Sequence, residues 1–235
     1  MKRSYILSFA IIILLTCTGG PALSQYPDLF KPGENINERE MTLSFASQQV
    51  TVNINAPLHM LPHAKTYLVF YALPNGNNIE WTKGKKIKPG DDWHFDIQHI
   101  AAQTRFIRNL DKKHNYVVVY LMTQQKSWPL WKRTYPGAKD QIIKITDTVS
   151  GIFKAYNPGI ILNGHSGGGS FVFGYIDAVD VIPSEVERIA FLDSNYGYED
   201  SLHKNKLTRW LKESNKNKLV VLAYNDSVVI YNGKP

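Results

Sequence analysis

Ile160-Ile161-Leu162-Asn163-Gly164-His165-Ser166-Gly167-Gly168-Gly169 is the stretch on which the reading of this chain turns. Three residues suited to a buried strand run into a glycine-rich corner, and a helical pattern from Ser170 to Ile176 follows. A serine that is to attack a carbonyl must project from such a strand-to-helix turn, which leaves no room for side chains two residues before and two after it. Gly164 and Gly168 occupy those two places. The start of a helix also offers backbone N–H groups that lack intrahelical acceptors and can face a developing oxyanion; Gly167 would supply one. Gly-x-Ser-x-Gly alone is a weak string, because loops use both residues freely, and its weight comes from its place between strand and helix. A Walker-type phosphate loop is disfavoured because no Lys follows the glycines. Asn163 and His165 flank the corner and read as supporting or packing residues rather than as a general base.

Upstream, Met41 to Asn55 alternates apolar and polar residues, which predicts two exposed antiparallel strands meeting near Ser47-Gln48-Gln49, at a sheet edge. Thr66 to Leu73 and Tyr116 to Met122 are continuous apolar runs that suit strands buried on both faces. Asp96 to Leu110 and Asp140 to Tyr156 have helical spacing, the second ending at the stop signal Asn157-Pro158-Gly159. Downstream, a strand at Arg188 to Leu192, a helix at Leu202 to Lys212 and a strand at Lys218 to Tyr224 continue the alternation. The expected class is α/β: a mostly parallel central sheet with helices on both faces and antiparallel strands at its N-terminal edge.

The corner and this order of elements together resemble the α/β-hydrolase superfamily, in particular bacterial esterase-like members with a Gly-His-Ser-Gly-Gly-Gly elbow. The resemblance runs from Thr66 to the C-terminus. It implies a nucleophile at Ser166, then an acid, then a histidine. It also implies a second oxyanion donor in the loop after the first central strand, Leu73-Pro74-Asn75-Gly76-Asn77-Asn78, from Asn75 or Gly76, although an Asn-Gly turn needs no function to exist. Two acids end later strands. Asp226 holds the place the family usually gives the acid, and Asp193, in Leu192-Asp193-Ser194-Asn195-Tyr196-Gly197-Tyr198, is the alternative.

The histidine departs from the pattern, since none follows His203. The resemblance then implies that the last strand and helix are missing and that the base lies beyond Pro235. An internal histidine is the other reading: His203, which reads as a surface residue at a helix start, or His94 or His99 in Trp93-His94-Phe95-Asp96-Ile97-Gln98-His99, which could border the cleft. His59, His63 and His114 carry no usable signal. Trp128, Trp131, Tyr135 and Pro136 follow the second central strand and either wall the site or form a packed cap.

Lys2 and Arg3 before an apolar run from Tyr5 to Leu15, then Ala22-Leu23-Ser24, read as a secretory signal over residues 1–24, with residues 25–235 as one hydrolase domain, incomplete at its C-terminus. The apolar run is too short for a stable membrane span, and a lipoprotein anchored through Cys17 is the less favoured reading. Cys17 is the single cysteine, so the mature chain has neither a disulfide nor a cysteine metal site. The net charge of +7 becomes +5 without Lys2 and Arg3 (7 − 2), and the basic run Lys83 to Lys88 reads as a solvated loop, not a nucleic-acid surface. No metal-binding spacing occurs and the chemistry needs no cofactor. These readings converge on a secreted or periplasmic serine hydrolase acting on a small-molecule or polymeric ester or amide. The alternative is a non-catalytic binding protein of the same fold that lacks the catalytic histidine.

Overall fold

The computed structural model describes residues 29–45, 47, 49–92 and 96–223. Its centre is a mixed eight-stranded sheet in the order β1-β2-β3-β5-β4-β6-β7-β8. The strands are β1 (Lys31–Pro32), β2 (Glu38–Phe45), β3 (Val50–Pro57), β4 (Lys65–Ala72), β5 (His114–Thr123), β6 (Gly159–His165), β7 (Val186–Leu192) and β8 (Lys218–Leu222). β1, β2, β3 and β5 pair antiparallel, whereas β5, β4, β6, β7 and β8 run parallel. The helices are α1 (Ile79–Lys83), α2 (Ile100–Leu110), α3 (Trp128–Thr134), α4 (Ala138–Ile152), α5 (Gly169–Ala178) and α6 (Asn205–Glu213). This is the expected α/β class, with antiparallel strands leading into a parallel half.

The two faces of the sheet are covered differently. Buried side chains of α3, α4, α5 and α6 (Trp131, Ile142, Val172, Trp210) join Val52, Phe70, Val119, Leu162 and Ile189 in one large apolar core. Trp210 is fully enclosed there, and its indole N–H donates to the Val186 carbonyl at 2.7 Å, which satisfies the one polar group such a side chain brings inside. The opposite face carries a smaller cluster, Tyr71, Leu73, Val118 and Tyr120, against Ile79 and Ile100 at the starts of α1 and α2.

Three expectations need correction. The strands of Met41 to Asn55 do meet as a hairpin, with Phe45 opposite Val50, but β3 is an inner strand hydrogen-bonded to β2 and β5. Its polar positions face protein, not water: Asn55 is buried and donates to Glu38 and Glu40, which in turn hold Arg105, Arg108 and Lys83. The alternation was therefore polar against polar, a pattern that periodicity cannot distinguish from a solvated face. Second, the helix expected from Asp96 starts at Ile100, because His99 stands in the left-handed region (φ 49°). Third, α1 and α3 form inside stretches read as loops, each capped by a side chain, Asn78 accepting from the Trp81 N–H and Ser127 from the Leu130 N–H. The helix expected over Leu202 to Lys212 is present, its first turn Asp200–Lys204 wider than an α-turn and α6 following from Asn205.

Candidate active site

Ser166 sits where β6 ends and the turn Ser166–Gly168 leads into α5. Its φ is 49°, a conformation that costs a non-glycine residue about 1–2 kcal/mol. Strand direction forces this corner: β6 must leave the carboxyl edge of the sheet and return at once as a helix on its face. A Cβ on Gly164 would lie 2.6 Å from the Gly169 nitrogen and 2.7 Å from the Gly168 carbonyl carbon. One on Gly168 would run into the carbonyl of Ala72, the last residue of β4. Both glycines are thus required by close backbone approach.

The carboxyl ends of three parallel strands meet here, the usual place for a ligand in such sheets. From β4, the loop Pro74–Asn78 places the Asn75 side chain against Gly167, where any Cβ would collide with its amide. The Gly76 N–H is already donated to the Lys126 carbonyl at 2.9 Å. From β7, Asp193 takes a left-handed conformation (φ 49°), and its N–H donates to the Leu222 carbonyl at 2.6 Å. Ser194 follows, fully enclosed, with its hydroxyl donating to the Gly164 carbonyl at 2.8 Å, so the end of β7 is tied to the corner.

His165 points to the α2 side of the sheet and is half-buried, with the Gln98 amide on its Nδ1. Loss of hydration pushes its pKa below the ordinary histidine value, and the negative charge of Asp193 partly opposes that. The Gln98 contact also brings the segment before α2 to the corner. On that segment His99, about half exposed, pairs with Asp96 at 2.7 Å.

The structure thus gathers Gly164, His165, Ser166, Gly167, Gly168, Asn75 and Asp193, with Gly76 alongside. Asp226 and His94 lie outside the described residues, as do residues 1–24. His203 is not on the surface as its sequence context suggested. It is 1% exposed, lies against Phe173, accepts the Glu199 N–H at Nδ1 (2.8 Å) and faces Asp177 at Nε2 (3.0 Å). Both ring nitrogens are occupied in holding the turn before α6. His114 pairs with Asp111 at the opposite end of the sheet and lines a cavity of about 470 Å³ there with His59. Trp128 and Trp131 are a packed cap rather than an open wall: both are enclosed, Trp128 edge-on to Phe171 and Trp131 stacked on Tyr135.

Ser194 and Gln98 at this site were missed by sequence reasoning. Each lies within a quoted segment, but a single serine or amide carries no periodic or motif signal. Among the described residues, no group of three or more His, Cys, Asp or Glu side chains could hold a metal ion, and no helix is long and apolar enough to cross a membrane.

No protein-family model matches the chain, and no curated protein matches it. Solved structures similar to it include the zinc-bound form of a novel cold-adapted esterase from an Arctic intertidal metagenomic library (10% identity over 82% of this chain and 74% of that one, TM-score 0.44). A PEG-bound complex of such an esterase from the same source matches at 9% identity over 85% of this chain and 90% of that one, TM-score 0.44. An alpha/beta hydrolase fold protein of unknown function matches at 12% identity over 68% of this chain and 45% of that one, TM-score 0.38.

Proposed function

We propose that this chain is an exported serine hydrolase of the α/β-hydrolase type that transfers an acyl group from an ester or amide to water. One observation carries the reading: a half-buried serine held at φ 49° on the carboxyl edge of a parallel sheet, at the head of a helix. Strain of this kind persists where the surroundings enforce it, and at a strand-to-helix corner it presents the hydroxyl for attack.

In the proposed reaction the Ser166 Oγ bonds to the acyl carbon while its proton passes to an imidazole, and the carbonyl oxygen takes up the negative charge. The N–H groups of Gly167 and Asn75 receive that oxyanion, Gly76 being engaged elsewhere. Collapse of the intermediate returns the proton to the leaving alcohol or amine, and water then attacks the acyl-serine in the same manner. Asp193, or Asp226 outside the described residues, orients the imidazole. His99, bonded to Asp96 on the segment that reaches the corner, is the internal candidate for the base.

Turnover of p-nitrophenyl acetate tests the reading. Wild type hydrolyses it, Ser166→Ala does not, and His99→Ala loses activity if the internal histidine serves. A folded wild type without turnover or serine labelling favours the non-catalytic binding protein, a reading supported by the fixed hydrogen bonds of His203.

A further inference from the structure

A Gly-x-Ser-x-Gly corner asks for glycine at 164 and 168 and leaves 167 open, yet residue 167 is also glycine. Its backbone does not require one, since Gly167 lies in the turn Ser166–Gly168 with φ outside the left-handed region. What excludes a side chain there is Asn75. A Cβ on Gly167 would collide with the carboxamide oxygen and carbon of Asn75 and stand 2.8 Å from its nitrogen, and outside the adjoining residues these are the three nearest atoms. The amide therefore lies over the residue that follows the nucleophile, the one whose N–H is the first expected oxyanion donor.

The turn that carries Asn75 does not itself call for an amide. Pro74 to Asn77 form a four-residue turn closed by the Asn77 N–H on the Pro74 carbonyl at 3.3 Å, and Gly76, third in it, has φ 83°. This is the type II pattern, which asks for positive φ at the third residue and makes no such demand of the second. Turn geometry thus accounts for Gly76 and leaves Asn75 unexplained. The turn is fixed on both sides, the Leu73 N–H donating to Leu121 at 3.2 Å, the Gly76 N–H to Lys126 at 2.9 Å, and Asn78 capping α1. The Asn75 side chain is exposed, and no described residue hydrogen-bonds to it. Its two N–H donors are set on a fixed turn without being consumed, which suits a charge that appears only in the transition state.

We propose that the side-chain amide of Asn75 is a catalytic oxyanion donor, acting with the Gly167 N–H on the oxygen of the tetrahedral intermediate. This role rests on the serine-hydrolase reading and goes beyond the backbone N–H of Asn75. The amide moves no proton: an Nδ2 N–H donates to the oxyanion while the Ser166 Oγ holds the acyl carbon. Glycine at 167 is the space the amide needs. A carboxylate at position 75 would meet the oxyanion with like charge.

The test compares Asn75→Ala, which keeps the backbone N–H and removes the amide, with Asn75→Asp, which has the same shape and carries the test should N75A fail to fold. For each, kcat and KM for p-nitrophenyl acetate, the rate of Ser166 labelling by a fluorophosphonate, and the thermal midpoint are measured. N75A is expected to lose roughly 100-fold in kcat and labelling rate, with KM within about twofold. N75D loses at least as much, and the midpoints change little because the side chain is exposed. Gly167→Ala reads the contact itself: its methyl displaces the amide, so it costs activity in the wild-type chain and less in the N75A chain. A kcat within about threefold of wild type in N75A and N75D overturns the role and leaves the backbone N–H as this loop's donor. A raised KM at unchanged kcat also overturns it, because the amide would then hold the ground state. Equal losses from G167A in both chains overturn the contact. If wild type neither turns over nor labels, the hydrolase reading fails and this role with it.

Discussion

Replacing Gly164 with alanine is the perturbation whose consequence follows most directly from the corner. The added methyl would stand 2.6 Å from the Gly169 nitrogen and 2.7 and 2.8 Å from the carbonyl carbon and oxygen of Gly168, where ordinary contact begins at 3.4 Å. All three are backbone atoms, so no side chain can swing aside. The first turn of α5 would have to retreat by about 0.8 Å (3.4 − 2.6). Overpacking on this scale costs about 1–3 kcal/mol, which for a domain of this size lowers the thermal midpoint by roughly 2–12 °C. The effect on rate is larger than stability alone gives. The adjoining turn Ser166–Gly168, whose Gly168 carbonyl is among the displaced atoms, carries Gly167, and a displacement approaching 1 Å costs about 100-fold in a reaction that depends on placement. Gly151→Ala is the control: it lies in α4 with nothing within 4 Å of its new methyl, and it is expected to be neutral or to stabilise by up to about 1 kcal/mol. Fluorophosphonate labelling per folded molecule, with folding followed by urea denaturation, reads both effects. Full labelling and unchanged stability in G164A would refute the claim that this corner is closed by backbone contact.

Lys83→Met leaves the partly buried Glu40 carboxylate with its asparagine donors but without its cation and is expected to cost about 1–3 kcal/mol in urea denaturation, most of which Glu40→Gln in the same chain recovers. Burial works against the charged form of Glu40, yet hydrogen bonding and charge from Lys83 hold its pKa below the ordinary 4.5. Its contribution to stability is therefore present above that value and fades as pH falls below it, a trend that should vanish in the double variant. His165 behaves in the opposite sense to a salt-bridged histidine. Burial lowers its pKa, so the unfolded chain binds the proton more readily and stability declines as pH drops below the ordinary 6.5; His165→Gln should flatten the thermal midpoint between about pH 5 and 7. His203→Ala opens a cavity, strips the Glu199 N–H of its acceptor and leaves Asp177 with Lys139 alone. A loss of about 2–4 kcal/mol is expected, with labelling of the folded fraction unchanged, since both ring nitrogens are engaged by Glu199 and Asp177.

The parallel half of the sheet was legible because its strands are continuous apolar runs, and the corner because Gly164 and Gly168 mark a steric requirement that only glycine meets. The antiparallel half misled for a physical reason: Asn53 and Asn55 look like a solvated face but meet Glu38 and Glu40, and a buried ion network leaves no trace in an apolar period. His203 misled in the same way, since its neighbours Lys204 and Asp200 are exposed while its own ring turns inward onto Phe173. At the site, the loop from β4 and the residues after β7 were placed by family resemblance and strand order. The contacts that hold them, Ser194 to Gly164 and Gln98 to His165, bridge 30 and 67 residues of chain, and nothing in local sequence announces a partner at that separation.

Mass spectrometry of the chain after reaction with a fluorophosphonate bears most directly on the proposal that Ser166 is an activated nucleophile. One phosphonyl group per chain is expected, on the peptide that contains Ser166, with none on Ser166→Ala. An unmodified folded chain, or an adduct confined to another residue such as Ser170 or Ser194, would contradict it.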